Sequence, residues 1–164
     1  DPMAGWKVLT ECLKTGGFMR IGLYSELARR EVVQVRAEIK QSNIESSHSA
    51  MKLFRNKIIS SEEKHHKRIV ESSDFYSMST LRDMLFHVQE HRFTIPQIEA
   101  SLVQLGLMFC GFENMESDFV WKSVDWRPKT PTGNTLYDLE KWDTFEKENP
   151  SVFAAMYQVW CQKI

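Results

Sequence analysis

The chain has 164 residues, 42% apolar and 26% charged, with a formal net charge of −1. That length suits one domain able to bury about two-thirds of its unfolded surface, and the near-neutral balance offers no basic face for nucleic acid or another polyanion. No apolar run approaches the ~20 residues of a membrane-spanning helix, and nothing reads as a signal peptide.

Asp1 can cap a helix with Pro2 at its first position, where the missing N–H costs nothing. Trp6, Leu9 and Leu13, with Val8 alongside, keep helical spacing, and Gly16-Gly17 predicts the helix end. The apolar stretch FMRIGLY (residues 18–24) predicts a buried strand. Ser25 caps the next predicted helix, SELARREVVQVRAEIKQ, with an inward stripe of Leu27, Val32, Val35 and Ile39. Two polar helices follow, over residues 47–59 and 62–71, and EEKHHKR in the second reads as a solvated face. His65 and His66 point about 100° apart on such a helix, which predicts surface residues poorly placed to share a metal.

A helix over TLRDMLFHVQEH follows from Ser79, with Leu81, Leu85 and Val88 turned inward. Thr94 and Gln97 form a T-x-x-Q capping box around Pro96, opening a helix over residues 95–104 that Gly106 stops. LMFCGFE (residues 107–113) predicts a second short apolar strand. Residues 114–135 hold Pro128, Pro131 and Gly133 and read as a long loop with a strand-like piece at FVWKSV, the kind of segment that serves as a binding loop or flap. LYDLEKWDTFEKEN predicts a helix interrupted by Pro150. MYQVWCQK, aromatic, β-branched and roughly alternating, predicts a closing strand, though a helix continuing from Pro150 also fits. Cys12, Cys110 and Cys161 are widely spaced, odd in number and set among apolar residues, so they read as reduced core residues of a cytoplasmic protein.

His87-Val88-Gln89-Glu90-His91 fits H-x-x-E-H, in which two histidines one helical turn apart bind zinc and the glutamate acts as general base. A third ligand must come from elsewhere; Glu140, Glu146 or Glu148 could supply it, with nothing to single one out, and the helix ends close to His91. The plainer alternatives are a helix C-terminus, with His91 and Arg92 complementing the dipole, or a corner that touches substrate. We expect no metal at this cluster. Tyr24, Ser25 and Arg29 follow the first strand, where open α/β sheets gather ligands. Ser25 as a simple N-cap fits equally well. There is no Ser–His–Asp order, glycine-rich phosphate loop or C-x-x-C pair.

The segment LKTGGFMRIGLYSELAR resembles the L-K-P-G-G stretch before the fifth strand of class I S-adenosylmethionine-dependent methyltransferases, with Thr15 where proline is usual. Asp1-Pro2 resembles the acidic-proline step after their fourth strand, IPQIEASLVQLGLMFCGFE their next helix and sixth strand, and MYQVWCQK their seventh. GLYSELAR, FHVQEHRFT and the tail DLEKWDTFEKENPSVFAAMYQVWCQK are similar to a bacterial subgroup often fused to tetratricopeptide repeats, so the resemblance covers essentially the whole chain.

The resemblance implies an incomplete Rossmann-like α/β fold: a small three-stranded mixed sheet in the parent order 5-7-6, packed with helices and carrying a helical insertion over residues 25–71. It implies a single domain over residues 1–164, the C-terminal, substrate-side half of a methyltransferase. The glycine-rich loop and ribose-binding acid of the cofactor half are absent from this sequence, and the opening Asp1-Pro2 reads as a cut from something longer. S-adenosylmethionine is thus the parent's cofactor and is not expected to bind this chain, which alone is not expected to be catalytic. Tyr24, Ser25, Arg29, His87, Glu90, His91 and Arg92 are the expected substrate wall, with His87 or Glu90 as candidate base. The unpaired outer edge of strand 18–24 predicts self-association. A stand-alone protein-interaction module is the alternative, and a zinc hydrolase the third reading.

Overall fold

Asp1 accepts hydrogen bonds from the amides of Met3 (2.9 Å) and Ala4 (3.3 Å), opening helix α1 (Pro2–Cys12) with proline at its start. The computed structural model describes residues 1–113, 135–150, 152–153 and 156–164. Two compact units divide the chain: Asp1–Ala28 together with His91–Ile164, a sheet unit, and Arg29–Glu90, a helical unit. The loop expected over residues 114–135, including its strand-like piece FVWKSV, lies outside the described residues apart from Thr135.

In the sheet unit, α1 ends at Cys12, not at the double glycine. Its last carbonyls find a distant partner: the Lys163 ammonium donates to the oxygens of Thr10 (3.0 Å) and Leu13 (2.8 Å), and Leu13 turns extended. The buried face is Trp6 and Thr10; Val8 and Leu9 are exposed, contrary to the expected stripe. Trp6 meets Phe93 edge to face at 6.4 Å.

Strands β1 (Phe18–Ser25), β2 (Arg92–Phe93), β3 (Leu107–Phe112) and β4 (Met156–Lys163) form one mixed sheet in the order β2-β1-β4-β3. The three expected strands are neighbours as anticipated, with β4 antiparallel to both β1 and β3. The sheet has four strands, not three, because β2 runs parallel to the end of β1, pairing Arg92 with Tyr24 and Phe93 with Ser25. Two ladder positions thereby cap the edge expected to be bare. β1 is also less buried than its apolar sequence predicts: Leu23 and Ser25 are enclosed, whereas Phe18, Arg20 and Gly22 face out.

Helix α6 (Ile95–Leu105) carries the predicted capping box, with Thr94 Oγ1 accepting from the Gln97 amide and Gln97 Oε1 from the Thr94 amide. Gly106 ends it at φ 65°, a left-handed geometry that glycine adopts without a Cβ clash, and its amide returns to the carbonyls of Leu102 and Val103. The chain then enters β3 directly. Cys110 is the extra residue of a bulge opposite Cys161 and Trp160, and Gly111 beside it sits at φ 133°. Helix α7 (Leu139–Glu148), capped by Asp138 on the Lys141 amide, buries Leu139, Trp142 and Phe145. Of the cysteines only Cys161 is a core residue; Cys110 is half-buried and Cys12 exposed, and all three are free thiols. Burial, with Cys110 nearby, pushes the Cys161 thiol up to about 11.

The helical unit comprises α2 (Arg30–Gln41), α3 (His48–Ile59), α4 (Lys64–Val70) and α5 (Met78–Phe86), with a short 3-10 turn at Ser73–Phe75. Helical spacing aligns Val32, Val35 and Ile39 on α2, Phe54 and Ile58 on α3, and Leu81 and Leu85 on α5 around Phe75. α2 begins at Arg30, not at Ser25, because residues 26–29 form turns. No helix among the described residues is long and apolar enough to cross a membrane.

Candidate functional site

At the carboxyl end of β1, Ser25 is fully buried and its hydroxyl donates to Glu146 Oε1 at 2.5 Å while accepting from the Ala28 amide at 3.0 Å. The Tyr157 hydroxyl of β4 reaches both oxygens of the same carboxylate, at 2.8 and 2.7 Å. Helix α7 supplies Glu146 from the face that also buries Trp142 and Phe145. One carboxylate thus ties α7 to both central strands. Burial raises the Glu146 carboxyl above its usual range and outweighs the hydroxyl bonds from Ser25 and Tyr157, which lower it. Burial likewise holds the Tyr157 phenol above its ordinary range. Ser25, Glu146 and Tyr157 are all at most 3% exposed, so the triad sets the strand end and reaches no solute directly. In the sequence Glu146 stands out only as one of three possible third zinc ligands.

Beside this triad lie the half-buried Tyr24 and the β2 pair. The Glu26 amide donates to the Phe93 carbonyl at 2.9 Å, and Arg92 Nε donates to Glu26 Oε2 at 3.0 Å. A shallow pocket of about 350 Å³ has Met3, His91, Arg92, Gln97, Ser101 and Gln104 among its lining residues. Among the described residues of the sheet unit, the predicted site residues His91 and Arg92 border open space here.

The other expected wall residues belong to the helical unit. Arg29 clasps Glu90 with two bonds, Nε to Oε1 at 3.2 Å and Nη2 to Oε2 at 2.5 Å, and Arg36 Nη2 adds a third at 3.0 Å. The side chains of Arg29 and Glu90 are 8% and 4% exposed. Glu90 is therefore an internal counter-ion, with both oxygens engaged.

The H-x-x-E-H reading fails on backbone geometry. α5 stops at Phe86, His87 is extended (ψ 137°), and Val88, expected inside, is fully exposed. Arg36 meets this helix end: its guanidinium donates to the carbonyls of Met84 (2.7 and 2.9 Å) and Asp83 (3.3 Å), acceptors that another helical turn would also use. His87 is exposed, 4.0 Å from Asp83, and His91 is an exposed residue leading into β2, so neither stands in a helical C-terminal turn. Of the three glutamates that could complete a zinc site, Glu146 is engaged by Ser25 and Tyr157.

The EEKHHKR run is not simply a solvated face. His66 is 4% exposed, and both imidazoles turn onto Glu38 of α2: His65 Nε2 lies 2.5 Å from Oε1, and His66 Nε2 lies 2.9 Å from Oε2. Burial alone would raise the Glu38 carboxyl, but the bonds from His65 and His66, with their charge, hold it below the usual carboxylate range. Only the charged flank is solvated: Lys67 pairs with Glu62, and Arg68 with Glu71. The local sequence could not signal this, because the partner carboxylate is 27 residues away.

Searched against protein-family models, the sequence matches none.

Proposed function

We propose that this chain is the C-terminal, substrate-side part of an S-adenosylmethionine-dependent methyltransferase domain and is inactive without a cofactor-binding half. The observation that carries this reading is the strand order: β4 antiparallel between β1 and β3, with α6 leading through Gly106 into β3. That is the 5-7-6 arrangement the sequence resemblance implies for the family. Within the sheet unit Tyr24, His91 and Arg92 take the role of substrate contacts, since they border the open pocket or the end of β1. Ser25, with Glu146 and Tyr157, takes a positioning role. Calorimetric titration provides the test. This chain alone should give no binding heat with S-adenosylmethionine, whereas a chain extended by the coding sequence upstream of Asp1 should bind it. Low-micromolar binding by this chain alone, or none by the extended one, would overturn the reading.

The outer edge of β1 favours a second role, as an interaction surface. Over residues 18–23 no strand pairs with that edge among the described residues, Phe18 is 59% exposed, and Arg20 is the one charge in the run. An edge so lightly protected takes up another strand readily, and a second copy of this chain is the simplest donor. Light scattering should find a dimer at tens of micromolar. A monomer whose β1 amides exchange freely would remove this role.

A further inference from the structure

We propose that Glu38, His65 and His66 form a binding site for a divalent first-row transition metal, with zinc the best-suited ion, inside the helical unit. The proposal does not depend on the methyltransferase reading. Its first support is the donor set. Two imidazole nitrogens and a carboxylate oxygen lie within 4.8 Å of one another. Imidazole and carboxylate are the borderline donors such metals accept, and three protein ligands leave a fourth position for water.

Neighbouring residues on a helix ordinarily diverge, yet these two rings converge, with centroids 4.3 Å apart and planes inclined at 53°. Both offer Nε2 to one carboxylate. A tetrahedral zinc with bonds of about 2.0–2.2 Å holds its ligand atoms roughly 3.3 Å apart. The contacts here run from 2.5 Å between His65 Nε2 and Glu38 Oε1 to 3.1 Å between His66 Nε2 and the same oxygen. The ion therefore replaces the shared protons by a modest spreading of side chains.

The second support lies on the far side of His66. Its Nδ1 sits 2.7 Å from Ser61 Oγ. A histidine that ligates through Nε2 must carry its proton on Nδ1 and usually donates it to an oriented partner. A serine hydroxyl both donates and accepts, so the Ser61 contact survives the tautomer change when metal displaces the proton from Nε2. The ring is already buried and oriented. Glu38 supplies the negative charge, and two nearby cations of α4, Lys67 and Arg68, are engaged with Glu62 and Glu71.

The test uses the full chain, stripped with chelator and titrated with zinc chloride by calorimetry, with cobalt(II) absorption as an independent reading of coordination. One equivalent should bind with a micromolar or tighter dissociation constant, and cobalt should give the intense visible bands of a tetrahedral site. His65→Ala, at a half-buried position, and Glu38→Gln should each weaken binding at least tenfold. His48→Ala, at an exposed helix start, should leave affinity unchanged. Zinc should also raise the thermal midpoint of the parent chain and not that of His65→Ala, whose helical circular dichroism reports its folding. Absence of one-equivalent binding, or binding indifferent to both His65→Ala and Glu38→Gln, overturns the proposal and leaves the cluster a hydrogen-bonded clamp.

Discussion

In the sheet unit the buried carboxylate of Glu146 is held by two neutral hydroxyls, whereas in the helical unit Glu90 is held by two guanidinium groups. Both carboxylates are almost wholly enclosed, so each must offset the cost of leaving water. Cationic donors bring Coulomb attraction to the task, and the penalty then falls due when one partner is removed. Neutral donors supply hydrogen bonds only, and protonation remains open to the carboxyl as a way to shed its charge. The same residue type thus serves as a fixed counter-ion in one unit and a titratable strut in the other.

The largest expected effect comes from breaking the ionic arrangement. Glu90→Ala removes the carboxylate that Arg29 and Arg36 share, and we expect a loss of about 3–5 kcal/mol of stability. Urea unfolding followed by helical circular dichroism measures it. A loss under about 1 kcal/mol, as for an exposed pair, would erase the distinction between the units. The neutral arrangement should be softer. Tyr157→Phe removes one donor while Ser25 stays bonded, and the expected cost is about 1–3 kcal/mol. A cost above that of Glu90→Ala would invert the comparison.

Both carboxylates bear on how much of the structure could be read from sequence. Signals confined to a few residues were read correctly: the Asp1 cap, the Thr94–Gln97 box, the Gly106 stop and the stripe of Val32, Val35 and Ile39. The alternation in MYQVWCQK correctly favoured a strand for β4, and its place between β1 and β3 followed from resemblance, since periodicity says nothing of strand order. Failures share one cause. α1 and α5 end where Lys163 and Arg36, distant in sequence, donate to carbonyls of the last turn. His66 is buried because Glu38 awaits it, and the divergence of adjacent helical residues describes Cβ directions, not ring tips. The candidate wall dispersed similarly: Ser25 and Arg29 follow a strand end and Glu90 lies in the polar run after α5, and each is engaged by an internal partner.

The smallest expected effect is a slope with pH, and it sharpens the comparison by its sign. Burial raises the Glu146 carboxyl above the ordinary value of 4.5, while the bonds from Ser25 and Tyr157 oppose that rise without cancelling it; Asp143 adds to it and Lys147 offsets it. Between 4.5 and the raised value the folded chain holds a proton that the unfolded chain has released. Stability from this group is therefore full below 4.5 and declines as pH rises through the folded value. An Asp or Glu paired with cations behaves oppositely, contributing above its unfolded value and losing that contribution in acid. Glu146→Gln keeps the shape and cannot ionise. The stability of the parent chain minus that of Glu146→Gln, from urea midpoints at several pH values from 4 upward, should fall as pH rises. A difference that instead grows with pH would mean that two hydroxyls hold the charged form as effectively as guanidinium groups do. In that case neutral and ionic donors would be equivalent supports for a buried carboxylate in this fold.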